Sequence, residues 1–233
     1  MSGPDSYHGR SAQSAAGALA SGLVTSAAFF LLMGASALLS GEGRLLADID
    51  ATIADSMLHE PPGLRTVFAA VTHLGDRAVM LAAATGVGVL LWWRGRHERL
   101  LARCGRAVAA VVSVGGAGLL NEAIKGAFLR PRPPSPFPSP SGYAFPSAHA
   151  AMALAFYGLC AWLVLRSRLP QRWKTIAATG CVLLILLVGV SRVFLSVHWL
   201  SDVLGGYATG AAWLTLCVTA LRLTEGEPGW LGR

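Results

Sequence analysis

Charged residues divide this chain into six long uncharged stretches, at 11–41, 78–93, 107–121, 133–165, 175–191 and 203–221. A helix that crosses a bilayer needs about 20 apolar residues, so the pattern predicts an all-α polytopic membrane bundle of six transmembrane helices. The shorter stretches reach that length by taking in a flanking residue such as Asp76, Glu122, Arg192 or Asp202, which puts charged groups at helix ends. The stretch at 133–165 opens with Pro133, Pro134, Pro136, Pro138 and Pro140, which cannot continue a helix, so its span begins near Ser147. Composition agrees: 54% of the 233 residues are hydrophobic and only 13% charged, too little polar surface to coat a soluble globule of this size. One membrane-embedded domain over 1–233 is expected, with a polar N-terminal tail at 1–14 and a C-terminal tail at 223–233.

Short loops rich in lysine and arginine stay cytoplasmic. The second connection carries Arg94, Arg96, Arg99, Arg103 and Arg106, and the fourth carries Arg166, Arg168, Arg172 and Lys174. Both therefore lie inside, with both termini, and the first, third and fifth connections face out. The net charge of +7 is spread between apolar runs, so it speaks for topology in a cell membrane and against a nucleic-acid partner. Cleavage of the first span as a signal peptide is the rival reading, but one leader arginine and a 31-residue uncharged run favour a span. Cys104, Cys160, Cys181 and Cys217 lie in or beside apolar stretches without metal-ligand spacing, and are read as small apolar residues. Leu45, Ile49, Ile53 and Met57 recur every four residues beside Asp48 and Asp55, as in an interfacial helix or equally a packed connector. Gly206 and Gly210 suit close helix packing.

This topology sends three segments to the outer boundary: Lys125 to Pro133, Pro146 to His149, and Ser191 to Asp202. Together they hold Lys125, Arg132, Arg192, Ser147, His149, His198 and Asp202: three cations, a hydroxyl, two imidazoles and a carboxylate. The set suits a phosphoryl group, because arginine forks match phosphate oxygens and lysine adds a point charge. The fourth and sixth spans start outside, so their N-terminal N–H groups open toward the same place, at Ser147 and Ala148 in one case, with Ser147 as an N-cap. His198 and Asp202, four apart, share a helical face, where a carboxylate can orient an imidazole. Taken singly, each residue has a plainer account. Lys125 and Arg192 can snorkel, His149 can be an interfacial side chain, and His198 with Asp202 can be a structural pair or, with His149, a metal site that three nearby cations disfavour. His73, Asp76 and Arg77 are read as packing or snorkelling groups, and Arg130 as an auxiliary contact.

The segments K-x6-R-P over Lys125–Pro133, P-S-x-H over Pro146–His149, and S-R-x5-H-x3-D over Ser191–Asp202 resemble the tripartite signature of the type 2 phosphatidic acid phosphatase superfamily. One departure is Ala148, where the family usually has glycine; its methyl crowds backbone approach to phosphate. The resemblance implies a membrane lipid phosphatase that uses no metal and no other cofactor. In it His198 is the nucleophile that forms a phosphohistidine, Asp202 its orienting partner and His149 the acid for the leaving oxygen. Lys125, Arg132, Ser147, Ala148 and Arg192 form the phosphate cradle. The implied partner is a membrane lipid in the outer leaflet, such as undecaprenyl diphosphate, phosphatidate or phosphatidylglycerophosphate, the first being favoured. A lipid-linked phosphotransferase with the same intermediate and a noncatalytic lipid-phosphate carrier are the alternatives. The superfamily's soluble vanadium haloperoxidases are opposed by the six apolar stretches.

Overall fold

The computed structural model describes residues 5–38, 45–96, 99–135 and 140–225. Among these the chain is helical throughout, with eight α-helices and one 3-10 turn. They are α1 (Asp5–Leu38), α2 (Leu45–Leu58), α3 (Pro62–Thr72), the turn His73–Gly75, α4 (Arg77–Arg94), α5 (Leu100–Phe128), α6 (Ala148–Leu165), α7 (Gln171–Phe194) and α8 (Leu200–Glu225). Each uncharged stretch of the sequence carries one long helix, and α6 starts where the proline-rich run ends. Glu122, Arg192 and Asp202 are taken into helix ends as expected, whereas Asp76 stands just outside α4 as its N-cap. Helix runs from Asp5 at one end and on to Glu225 at the other, and residues 1–4 and 226–233 lie outside the described residues.

Among the described residues four helices, α5 to α8, are long and apolar enough to cross a membrane. A fifth candidate is the pair formed by Pro62–Gly75 and α4, bent by 49° at the break, and Leu19–Ala35 within α1 is a shorter apolar helix. Large apolar side chains such as Val182, Leu183, Leu186 and Leu187 on α7 point outward, as suits contact with lipid rather than water.

Helix α6 is the centre of the bundle, packed on α5, α7 and α8, while α1 lies along α8 and α4 along α5. The α6–α8 seam is close because Gly206 and Gly210 face backbone: a Cβ at these positions would sit 2.4 Å from the Ser147 carbonyl and 2.5 Å from that of Ala151. The two glycines thus serve helix packing, as their spacing predicted. Helix α2 is a packed connector along its later turns, where Ile53 and Met57 meet Val193 and Val203, while Leu45 stays exposed.

Candidate active site

Local chain reversals bring the three sequence segments together at one end of the bundle. Helix α5 stops at Leu129, whose left-handed conformation (φ 48°) closes a bond from its N–H to the Lys125 carbonyl, and Pro131 and Pro133 prevent its resumption. The strand of chain that follows is tied to the entry of α6 by the bond from Ala144 N–H to the Arg130 carbonyl, 2.8 Å. After α7, Ser196 adopts φ 54°, a costly conformation for a residue with a side chain. The turn folds the chain back so that the N–H groups of Val197 and His198 both reach the Arg192 carbonyl, at 3.2 and 3.3 Å. That reversal accounts for the five residues between arginine and histidine. Finally, Ser147 N–H donates to the Asp202 carbonyl at 2.9 Å, which joins the start of α6 to the first turn of α8.

His198 is almost fully buried and lies between two charged groups of opposite sign. Its Nδ1 is 3.4 Å from Asp202 Oδ2, an ion-pair distance that falls short of a directed hydrogen bond. Its Nε2 is 3.2 Å from Arg132 Nη1. Arginine only donates, so Nε2 carries the lone pair and the ring proton sits on Nδ1, toward Asp202. Burial pulls the His198 pKa down to about 4 despite Asp202, and Arg192 and Arg132 push the same way. The ring is thus neutral near pH 7 with its free lone pair beside an arginine.

Arg132 is held by backbone carbonyls, its Nη1 donating to Val197 at 2.6 Å and its Nε to Gly142 at 3.1 Å. Arg192 is buried and donates through Nη1 to Thr72 Oγ1 at 2.7 Å, leaving Nε without a partner. Ser147 occupies the N-cap of α6 as expected, but its side chain makes no capping bond; its Oγ is fully buried and unpartnered. This corrects the expected capping role and frees the hydroxyl for another acceptor or donor. Ala148 is the first residue of α6, where first-turn amides lack helical acceptors. Lys125 stands at the margin, 3.4 Å from Glu122, which lies the same distance from Arg77.

Residues to which the sequence reading gave no central role complete the site. Arg130, expected as an auxiliary contact, is a buried hub that donates to Asp202 Oδ1 at 2.6 Å, Ser201 Oγ at 2.7 Å and Asp50 Oδ2 at 2.9 Å. Asp50, from α2, also accepts from the backbone and hydroxyl of Ser201. Asp76 was expected only to pack or snorkel; instead its carboxylate bridges His149 Nε2 at 2.9 Å and His73 Nδ1 at 2.5 Å. The one signal in the sequence for Asp50 and Asp76 was a carboxylate near an apolar run, which does not name a partner. His149 therefore pairs with Asp76 and His198 with Asp202. Among the described residues no three His, Cys, Asp or Glu side chains gather to hold a metal ion.

Comparison with known proteins places this geometry in a family. The phosphatidylglycerophosphatase B of Bacillus subtilis is 29% identical over 187 residues, covering 78% of this chain and 86% of the relative. The decaprenylphosphoryl-5-phosphoribose phosphatase of Mycobacterium tuberculosis is 32% identical over 179 residues, covering 73% of this chain and 85% of its own. A crystal structure of a transmembrane PAP2 type phosphatidylglycerolphosphate phosphatase from Bacillus subtilis superposes with a TM-score of 0.72 at 26% identity, over 84% of this chain and 94% of that one. The profile of the PAP2 superfamily matches residues 106–224, which contain all three signature segments, and the chain belongs to that superfamily.

Proposed function

We propose that the chain is an integral membrane phosphatase that removes a phosphate from a lipid phosphate monoester or diphosphate by way of a phosphohistidine. The observation that carries this reading is the pair of buried polar atoms without hydrogen-bond partners, Ser147 Oγ and Arg192 Nε, at the end of the bundle where Arg132 meets His198 Nε2. Buried polar atoms are rarely left unsatisfied, and an anion with several acceptor oxygens satisfies such donors at once.

In the first step His198 Nε2 attacks phosphorus. The P–N bond forms as the P–O bond to the lipid breaks, and His149 delivers a proton to the departing oxygen. Asp202 stabilises the cationic His198 ring, and its 3.4 Å approach tightens as charge develops. Arg132, Arg192 and Lys125, with the Ser147 hydroxyl and the Ala148 amide, hold the phosphoryl oxygens and neutralise their charge. In the second step water, deprotonated by His149, attacks the phosphohistidine and releases inorganic phosphate. The three cations supply the charge stabilisation that a divalent metal supplies in other phosphatases, so the reaction runs without one.

A lipid substrate is supported by the apolar helices around the site and by relatives named for a glycerophospholipid and a decaprenyl lipid. Undecaprenyl diphosphate remains the favoured candidate within that class. The six-span layout with cytoplasmic termini and an outward-facing site follows from the arginine-rich connections, with a cell membrane as its location. The test is inorganic phosphate release from a panel of lipid phosphates and diphosphates in detergent, with chelator present. Release of phosphate supports a hydrolase; a phosphorylated lipid or sugar acceptor instead supports the phosphotransferase, and neither product supports the carrier. Loss of activity in chelator, restored by magnesium or zinc, refutes metal independence.

A further inference from the structure

The bent pair formed by Pro62–Gly75 and α4 breaks at Thr72–Asp76, and the break meets α6 and α7 beside His149 and Arg192. Thr72 Oγ1 accepts from Arg192 at 2.7 Å, and the Leu74 carbonyl accepts from Tyr157 Oη at 2.9 Å. Gly75 lies so close to His149 that a Cβ on it would stand 3.0 Å from the imidazole Cδ2 and 2.5 Å from Val188 Cγ1. Interrupted helices in membrane proteins are tolerated where the freed backbone lines a site. Here the interruption delivers one carboxylate.

Asp76 occupies the N-cap of α4, where its side chain ordinarily accepts from the first-turn amides, yet it makes no such bond. The carboxylate turns to two imidazoles instead, Oδ1 to His149 Nε2 and Oδ2 to His73 Nδ1. With Nε2 engaged, Nδ1 is the His149 nitrogen left for a leaving oxygen. His73, largely exposed, is the outer anchor that holds Asp76 in place.

Resting on the assignment of His149 as leaving-group acid, we propose that Asp76 is its positioning carboxylate, supplied by the helix break and held from the solvent side by His73. As the P–O bond breaks and the P–N bond to His198 forms, the proton on His149 Nδ1 moves to the leaving oxygen. Asp76 stays ionised throughout, fixing the ring through Nε2–H and stabilising its charged form before transfer. This is the orienting part that a carboxylate plays toward a catalytic histidine in hydrolase triads, played here toward the acid rather than the nucleophile.

The experiment compares Asp76→Asn, Asp76→Glu, His149→Ala and the double variant Asp76→Asn/His149→Ala on an alkyl lipid phosphate and on a phenolic phosphate. Asp76→Asn is expected to lower kcat on the alkyl substrate with KM little changed, by no more than His149→Ala, itself on the order of a hundredfold to ten-thousandfold. On the phenolic substrate, which leaves without a proton, the loss is much smaller. Adding Asp76→Asn to His149→Ala changes the rate by no more than about twofold, since residues acting as a unit are not additive. Asp76→Glu, which keeps the charge, recovers part of the alkyl activity. Equal losses on both substrates in Asp76→Asn, or full additivity in the double variant, overturn the role of Asp76 while leaving-group sensitivity in His149→Ala leaves the underlying reading intact. Equal losses in His149→Ala refute the acid itself, and the proposal with it. Where Asp76→Asn does not fold, the same comparison in Asp76→Glu decides, a leaving-group-dependent loss supporting the role and a uniform loss overturning it.

Discussion

Arg130 Nη1 donates to Asp202 Oδ1 at 2.6 Å, while Oδ2 of the same carboxylate accepts from Trp199 N–H at 2.8 Å and faces His198. One oxygen is thus anchored and the other presented to the histidine. Arg130 is in turn braced by Asp50 from α2, so a helix outside the three signature segments controls the carboxylate at their centre.

Removing that brace is costly. Asp50→Ala leaves Arg130 with Asp202 as its one ionic partner and strips the Ser201 amide of its acceptor. Orphaning a buried charge costs about 3–5 kcal/mol; with Asp202 still in place the expected loss is near the lower figure, about 3 kcal/mol. Thermal unfolding in detergent checks it. Arg130→Lys should also lose activity, because one ammonium cannot reproduce a planar fork that spans two carboxylates and a hydroxyl. An Arg130→Lys enzyme with unchanged kcat and Tm would show that the hub is ornamental.

The two histidines should fail differently. His198→Ala is expected to abolish turnover and phosphoenzyme formation, since no other side chain of the site is a neutral imidazole held beside Arg132. Substrate binding should largely survive, because Arg132 and Arg192 keep their own anchors in the Val197 carbonyl and Thr72. Trapping with radiolabelled lipid phosphate and an alkaline denaturing quench, in which phosphohistidine survives, distinguishes the outcomes, and a labelled His198→Ala protein would place the covalent step elsewhere.

Much of this was legible in the sequence, and the pattern of what was not has a physical cause. Long apolar stretches and prolines act locally, so the positions of α4 to α8 and the late start of α6 follow directly from them. Gly206 and Gly210 also carried their meaning openly, since a missing side chain at that spacing has few uses other than close approach. Asp50, Asp76, Thr72 and Arg130 were opaque because the worth of a polar side chain depends on its partner, and these partners lie far away in the chain. The break at Thr72–Asp76 was hidden for a related reason: α3 is short, and the Phe194 on which its Phe68 stacks lies far along the chain.

The depressed His198 pKa makes a statement about pH. The ordinary imidazole value is about 6.5, and here burial brings it to about 4. The acid limb of kcat/KM that reports the nucleophile should therefore lie well below pH 6.5. Stability carries the same sign: between about pH 6.5 and 4 the unfolded chain binds a proton that the folded chain refuses, so this contribution is present above 6.5 and lost as pH falls through that window. The difference in Tm between wild type and His198→Gln, followed from pH 7 to pH 4, should shrink. Asp202→Asn removes the group that raises the His198 pKa and should move the acid limb lower still.

The side of the membrane on which the site opens is testable because the two ends of the bundle differ in kind. At the end away from the catalytic residues, arginines lie over tryptophan rings: Arg103 is 3.5 Å from the Trp92 centroid, Arg166 is 4.9 Å from Trp162 and Arg172 is 5.6 Å from Trp173. Tryptophan favours the membrane interface and arginine-rich short loops stay cytoplasmic, so the proposed topology puts this end inside and the catalytic end outside. Ser141 is exposed beside Gly142 and Tyr143, whose carbonyls accept from Arg132, so a cysteine there reports on the site's own side. In a chain whose four native cysteines are replaced by alanine, a membrane-impermeant maleimide should label Ser141→Cys in intact cells and reach Arg168→Cys only after permeabilisation. The reverse pattern would turn the bundle over, and the lipid phosphate would then be met in the cytoplasmic leaflet.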